Sequence, residues 1–336
     1  MAANAPTMLA ALGARLRDAG LTPRALAAWA GTARVSALPA RLDALPAPET
    51  PAAAVLALLV AGAELARERL RTVPDATIEQ LIACELLDRE ADRLRARVAI
   101  VPIASALLVC DRLDAAIERD LVCWPDDSSH HLATAIPAGR RAAWLDLGCG
   151  SAFASLARPE LAGQIAGVDV NPRAVRYAAL GAALSGIAHL TASLGDIGDA
   201  REAANLVTCN APMPPGNDRD PTRGDRLRGA MPELWRSADP DFFARLWPAL
   251  PRAVRPGGLI VVHGACSVVL PALEDAPGER VVVTYTPDGV PGFAIAWWRP
   301  DAPARLATAR RGLTPDRPHL DPRDHDDALG TQAAGT

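Results

Sequence analysis

Three carboxylates and one amide stand at the ends of four apolar runs in this chain of 336 residues. They are Asp146 in "AAWLDLGCGSA", Asp169 in "QIAGVDVNPRAV", Asp196 in "HLTASLGDIGD" and Asn210 in "NLVTCNAPMPP". A turn of small residues after a strand, here Gly148, Cys149 and Gly150, lets a ligand approach the backbone, and the helix start that follows offers free N–H groups. Phosphate sites use the same geometry, but two details argue against a dinucleotide. Phe153 stands where a GxGxxG turn would place its third glycine, and Asp146 would repel a diphosphate.

Asp169 follows at a spacing that lets an acidic side chain accept both hydroxyls of a ribose. The site therefore calls for a ribose-bearing, diphosphate-free, cationic or zwitterionic cofactor, and S-adenosylmethionine meets that description. Asp196 is placed where a carboxylate could accept the adenine amino group. The alternative is that all three are turn residues closing strands. Their occurrence at successive strand ends beside a glycine-rich turn disfavours that reading; for Asp196 taken alone the two stand level.

These residues need a scaffold that lines up strand ends. From Trp144 the sequence alternates strand and helix patterns, the signature of a parallel sheet covered on both faces. The strands are "AAWLDLG", "QIAGVDV", "HLTASLGD", "NLVTCNA" and "GGLIVVHGA", and "RVVVTYTPDGVPGFAIAWWRP" adds a hairpin at one edge. Residues 8 to 72 read as helices. "PDATIEQLIACELLDRE" is an amphipathic helix, followed in "DRLRARVAIVPIASALLVCDR" by two extended runs broken near Pro102. Helices followed by a ribbon are similar to a winged helix, a module that binds DNA or serves in oligomerisation or substrate covering. The division expected is 1–125 for this N-terminal part, 126–300 for the α/β part, and 301–336 for a polar, proline-rich disordered tail with His319 and His325 solvated.

Composition narrows the partners. Half the residues are hydrophobic, the net charge is −4, and all 35 basic residues are arginine, so no global basic field favours nucleic acid. The six cysteines occur singly, without the CxxC pairs of zinc or redox sites, and are expected to be reduced, with no metal bound. The N-terminus lacks a signal-peptide layout, and Glu64 interrupts "AAAVLALLVAGAEL" before it could span a bilayer. A cytoplasmic protein without membrane contact is expected, and an oligomer is compatible with the sequence.

"LDLGCGSA", "GVDVNPRAV", "NLVTCNAP" and "VRPGGLIVV" resemble the successive motifs of class I S-adenosylmethionine-dependent methyltransferases. More narrowly they resemble the branch of the release-factor glutamine methyltransferases and "small" methyltransferase domains, over about residues 126 to 300. The resemblance implies a Rossmann-like, seven-stranded methyltransferase sheet behind the winged-helix-like domain. It implies that Asp146, Gly148, Cys149, Gly150, Asp169, Val170, Asn171, Asp196, Ile197 and Asn210 contact the cofactor. Family members continue Gly-Ser-Gly where this chain has Gly150, Ser151 and Ala152, a mild change.

In that branch the fourth strand ends in Asn-Pro-Pro-Tyr/Phe. The asparagine oxygen and the next backbone carbonyl accept two N–H groups of a planar nitrogen and turn its lone pair to the methyl group. Here the motif is Asn210, Ala211, Pro212 and Met213. Ala211 keeps its carbonyl, while Met213 replaces an aromatic platform with a flexible thioether, which argues against a flat base. Candidates for acceptor contact are Met213, Glu233 and Trp235 in the charged loop beyond the motif, and Asp127, Ser129 and His130 in "CWPDDSSHHLATAIP". The expectation is N-methylation of a guanidine, amide or amine on a small polar metabolite or protein side chain. Methylation of a nucleic-acid base and a noncatalytic cofactor-binding role are the alternatives.

Overall fold

The structure is a computed structural model that describes residues 5–32, 34–115, 120–199, 204–214, 239–286 and 292–333. Its N-terminal part opens with helices α1 (Ala5–Asp18), α2 (Pro23–Ala30) and α3 (Pro51–Leu59). Thr22 and Thr50 cap α2 and α3 by accepting the N–H groups of Ala25 and Ala53, and a proline at the start of each fixes φ for the first turn. The helical reading of 8–72 fails at the short strand β1 (Leu65–Ala66). α4 (Asp75–Ala83) is followed by β2 (Leu87–Glu90) and β3 (Arg93–Ala96), and the three strands pair in the order β1-β3-β2.

The ribbon anticipated around Pro102 is two separate hairpins. β2 and β3 form the first, and β4 (Ala99–Ile103) with β5 (Ala106–Cys110) forms a second, buried along its whole length. That burial explains the unbroken apolar run "AIVPIASALLVC": both faces are covered, so no alternation appears.

α5 (Asp127–Ala135) leads into the large sheet. β6 (Arg141–Leu147), β7 (Ala162–Asp169), β8 (Leu190–Leu194), β9 (Ala204–Asn210) and β10 (Val254–Ala265) are parallel, as their patterns predict. Between them lie α6 (Phe153–Ala157), α7 (Pro172–Ser185) and α8 (Phe242–Ala253); α9 (Cys266–Glu274) follows β10. β11 (Glu279–Thr286) and β12 (Phe293–Arg299) pair antiparallel, though the expected Pro-Asp-Gly turn between them lies outside the described residues.

Among the described residues the sheet has eight strands in the order β13-β11-β12-β10-β9-β6-β7-β8. The extra strand, β13 (Arg305–Gly312), comes from the segment expected to be disordered, and α10 (Pro322–Ala333) follows it. Strand pairing with β11, burial of Leu320 and Ala328, and ion pairing hold this segment: Asp324, 1% exposed, takes Arg311 at 2.6 Å and Arg317 at 3.1 Å. No apolar periodicity announces such an element.

One hydrophobic cluster runs from Leu12 of α1 through Ile100, Leu107 and Trp144 to Ala328 of α10, so the proposed boundaries at 125 and 300 do not divide the core. The order of strands reverses between β6 and β9, where the chain leaves the sheet in opposite directions. At such a switch point the loops after adjacent strands part and leave a crevice. The loop after β6 and the end of β9 flank it.

Candidate active site

The loop after β6 is shaped by residues in left-handed conformation. Gly148, Gly150 and Ala152 have φ of 63°, 53° and 61°. A Cβ added at Gly148 or Gly150 would meet nothing within 4 Å, so both face open space that a ligand can enter. Ala152, fully buried, holds a conformation that costs a non-glycine residue roughly 1–2 kcal/mol. Cys149 contributes main chain here, since its Sγ packs against Gly167, where a side chain would collide with it at 2.8 Å.

Asp146 is held beneath this loop. Its two carboxylate oxygens accept hydroxyls from Thr208 at 2.7 Å and Ser155 at 2.8 Å, and Thr208 in turn accepts Trp144 Nε1 at 2.7 Å. Burial raises its pKa to about 6. Asp146 thus ties β6 to β9 and α6 instead of presenting a carboxylate to a ligand.

Asp169 ends β7 at the crevice. Its oxygens accept the backbone N–H groups of Gly150 and Asn171, each at 2.8 Å, which fixes the carboxylate plane and leaves further lone pairs for hydroxyls. Burial raises its pKa against these bonds. Val170 and, on the neighbouring strand, Leu194, the register partner of Asp169, are 66% and 63% exposed. Only Met8 and Leu270 join them as exposed large apolar side chains among the described residues. Two apolar walls beside a fixed carboxylate suit a flat ring attached to a ribose.

Several residues expected at the site also bond within the protein. Asn171 caps α7 by accepting the N–H groups of Arg173 and Ala174, and its Nδ2 donates to the Asp120 carbonyl. Asp196 is paired through both oxygens with Arg245 at 2.7 Å, which lowers its pKa; Ile197 beside it is buried. Asp127 binds Arg34 and Ser36 of the N-terminal part, and Ser129 sits in the cap formed by Asp126. Glu233 and Trp235 lie outside the described residues.

Asn210, at the end of β9, stands beside His263 of β10 in register. Its Oδ1 lies 2.8 Å from His263 Nδ1, and its Nδ2 donates to Ser128 Oγ at 2.8 Å. His263 Nε2 lies 2.7 Å from the Tyr285 hydroxyl. Ala211 is buried and its N–H donates to the His263 carbonyl at 2.8 Å, while Pro212 and Met213 are half-buried.

Around this pair gather His130, His131 and His319. The His131 ring lies 4.3 Å from Tyr285 and 6.3 Å from His263, and its Nδ1 accepts the Leu320 N–H. His130 stacks on His319 at 5.0 Å and meets Phe153 edge-on at 4.6 Å. So His130 is an aromatic packing residue between α5 and the loop, and His319, expected to be solvated, is half-buried against it. His325 also packs, edge-on to Trp297. Burial lowers His130 to about 4 and His131 and His263 to about 3, leaving three neutral rings. Sequence reasoning missed His263 and Tyr285; the one available signal was a histidine inside an otherwise apolar strand, "LIVVHGA".

Residues 140–277 match the family described as Methyltransferase domain. No protein of curated function matches the chain. Among solved structures, a predicted O-methyltransferase from Agrobacterium tumefaciens is 16% identical, covering 61% of this chain and 95% of that one with a TM-score of 0.41. The T. thermophilus 16S rRNA N2 G1207 methyltransferase in complex with AdoMet and guanosine is 19% identical, over 62% and 46%, with a TM-score of 0.41. The N-methyltransferase NodS from Bradyrhizobium japonicum WM9 is 18% identical, over 53% and 94%, with a TM-score of 0.32.

Proposed function

From the class I S-adenosylmethionine-dependent methyltransferase domain at residues 140–277, we infer that this chain methylates a planar nitrogen of a guanidine, amide or amine. The acceptor is a small polar metabolite or a protein side chain. The observation that carries this reading is the uncharged strand end: the amide of Asn210, at the end of β9, is bonded to the Ser128 hydroxyl and to a His263 ring that burial keeps neutral. An amide or amine nitrogen needs alignment more than a strong base, and positioning alone can supply several kcal/mol of a barrier.

S-adenosylmethionine, when bound, would supply a sulfonium methyl to which an aligned nitrogen lone pair forms a bond as the C–S bond breaks, its electron pair leaving with sulfur. Gly148 and Gly150 would leave room for it, the Asp169 carboxylate would hold its ribose, and Val170 with Leu194 would flank its adenine. In this reading the Asn210 oxygen and the Ala211 carbonyl orient the acceptor N–H groups. His263 does not take the proton, because burial keeps it neutral to about pH 3. The proton is lost from the methylated nitrogen after transfer.

The winged-helix-like part is used here as a cover and not as a nucleic-acid reader. The wing arginines Arg89, Arg93, Arg95 and Arg97 each pair with a carboxylate, respectively of Glu79, Glu64, Asp114 and Asp88. On α4, Thr77 and Gln80 are engaged by Arg15 of α1. A groove reader needs those groups for phosphate.

Calorimetry with S-adenosylmethionine and S-adenosylhomocysteine, then methyl transfer to free arginine, glutamine, primary amines, a release factor, DNA and RNA, tests the reading. Asn210→Ala is expected to keep cofactor affinity and to lower turnover about 100-fold, the scale of one positioned polar contact. Transfer to nucleic acid alone, or parental turnover in Asn210→Ala, overturns it.

A further inference from the structure

The direction of every hydrogen bond around Asn210 follows from a single carboxylate. Ser128 Oγ lies within bonding distance of Asp126 Oδ1, and an ionised carboxylate only accepts, so the Ser128 proton points to Asp126. Ser128 must then accept from Asn210, at 2.8 Å, which places Nδ2 of the amide on that side. Oδ1 therefore faces His263 and accepts from its Nδ1–H at 2.8 Å. A neutral imidazole has one N–H, so Nε2 is bare and accepts the Tyr285 hydroxyl proton at 2.7 Å. The donors run one way, from Tyr285 through His263, Asn210 and Ser128 to Asp126.

The opposite polarity requires the amide to flip, Ser128 to donate to Asn210, and the Asp126 carboxylate to give up the Ser128 hydroxyl and keep the longer contact from Ser129 Oγ at 3.4 Å. His263 is 2% and Tyr285 3% exposed, so water is not at hand to repair a broken link. Phe293, whose ring lies 5.7 Å from His263 and 6.0 Å from Tyr285, closes one side, and His131 closes another. Among the described residues the amide is held through its polar atoms by Ser128 and His263.

We propose that Asp126, Ser128, His263 and Tyr285 are positioning residues that set which edge of the Asn210 amide meets the acceptor nitrogen. With one lone pair of Oδ1 given to His263, the other remains for an acceptor N–H; with one N–H given to Ser128, the other remains on Nδ2. This rests on the reading of Asn210 as the residue that orients the acceptor. None of the four touches the reacting atoms in this scheme, and Tyr285 acts at third hand, by fixing the tautomer of His263.

The test joins a measurement that needs no acceptor to one that does. In ¹⁵N spectra of the full-length protein, His263 is expected in the Nδ1–H tautomer, and Tyr285→Phe, which leaves Nε2 without its donor, is expected to move part of it to Nε2–H. Turnover on whichever of free arginine, glutamine and primary amines the parent methylates is expected to fall about tenfold or more in Tyr285→Phe and His263→Leu, with S-adenosylhomocysteine affinity within about twofold. His263→Asn, whose amide can still donate toward Asn210, is expected to recover turnover relative to His263→Leu. An Nε2–H tautomer in the parent, or parental turnover in Tyr285→Phe and His263→Leu while Asn210→Ala is inactive, overturns the proposal and leaves the role of Asn210 standing. Parental turnover in Asn210→Ala overturns both.

Discussion

Gly13 of α1 lies against the backbone of Leu184 in α7, so close that a Cβ on Gly13 would stand 1.8 Å from the Leu184 carbonyl oxygen. The first helix is thereby seated on a helix that packs on the large sheet. Gly181, one turn earlier on α7, meets the Leu107 carbonyl in the same way from the other hairpin. Gly13→Ala has backbone as its obstacle and is expected to cost about 1–3 kcal/mol, read as a lower midpoint in urea. Removing residues 1–125 is expected to give an insoluble chain, because it uncovers the face of α7 that α1 and β5 bury. A soluble truncated chain that binds S-adenosylhomocysteine like the parent would show two independent domains.

Asp169→Ala is expected to weaken S-adenosylhomocysteine binding at least tenfold, since charge-assisted hydrogen bonds contribute about 1.5–3 kcal/mol each. It also frees the N–H groups of Gly150 and Asn171, so part of the loss comes from a loosened loop. Calorimetry checks the affinity, and unchanged binding would show that Asp169 serves only the turn.

Thr208 links Trp144 to Asp146 across two strands while itself fully buried. Thr208→Val keeps the shape and removes both bonds. It is expected to destabilise the fold by about 2–3 kcal/mol, the cost of an indole N–H and a carboxylate left short of a partner. Denaturant unfolding measures this, and a loss under about 0.5 kcal/mol would show that the trio is not coupled to stability.

Acid should unfold the protein earlier than its carboxylates alone would require. His130, His131 and His263 titrate at about 4, 3 and 3 when folded, against 6.5 for a free histidine. Between those limits the unfolded chain binds more protons than the folded one, so stability falls as pH drops below 6.5, by about 1.4 kcal/mol per pH unit for each ring. Asp146, raised to about 6, acts oppositely: it binds its proton in the folded state first and softens the loss between pH 6 and 4. Urea midpoints from pH 7 to 4 should therefore decline, and less steeply in His131→Phe. A flat profile in the parent would contradict three buried neutral rings.

The strand ends were legible because each is a local signal, an apolar run stopped by a small or polar residue; Asp169 and Asn210 sit where those runs predict. His263 and Tyr285 were not, because they lie 53 and 75 positions beyond Asn210 and meet it only through strand register and a side-chain reach across β12. Asp146 and Asn171 also bond within the protein, which no local pattern announces. Their positions suit a ligand, yet the nearest polar groups belong to the protein: hydroxyls of Ser155 and Thr208 for one, helix N–H groups for the other. The tail escaped notice because α10 is fastened by a buried carboxylate among arginines, an arrangement that composition reads as disorder.

β13 has a bearing on how copies of the chain meet. A sheet rim is a template for further pairing, and here the rim is a strand that carries Arg305 and Arg310 on exposed positions. An antiparallel approach of two such rims brings cation against cation along the line where backbone bonds would form. The outermost strand thus works as a selvedge: it finishes the woven edge of the sheet and keeps it from being extended by its own kind.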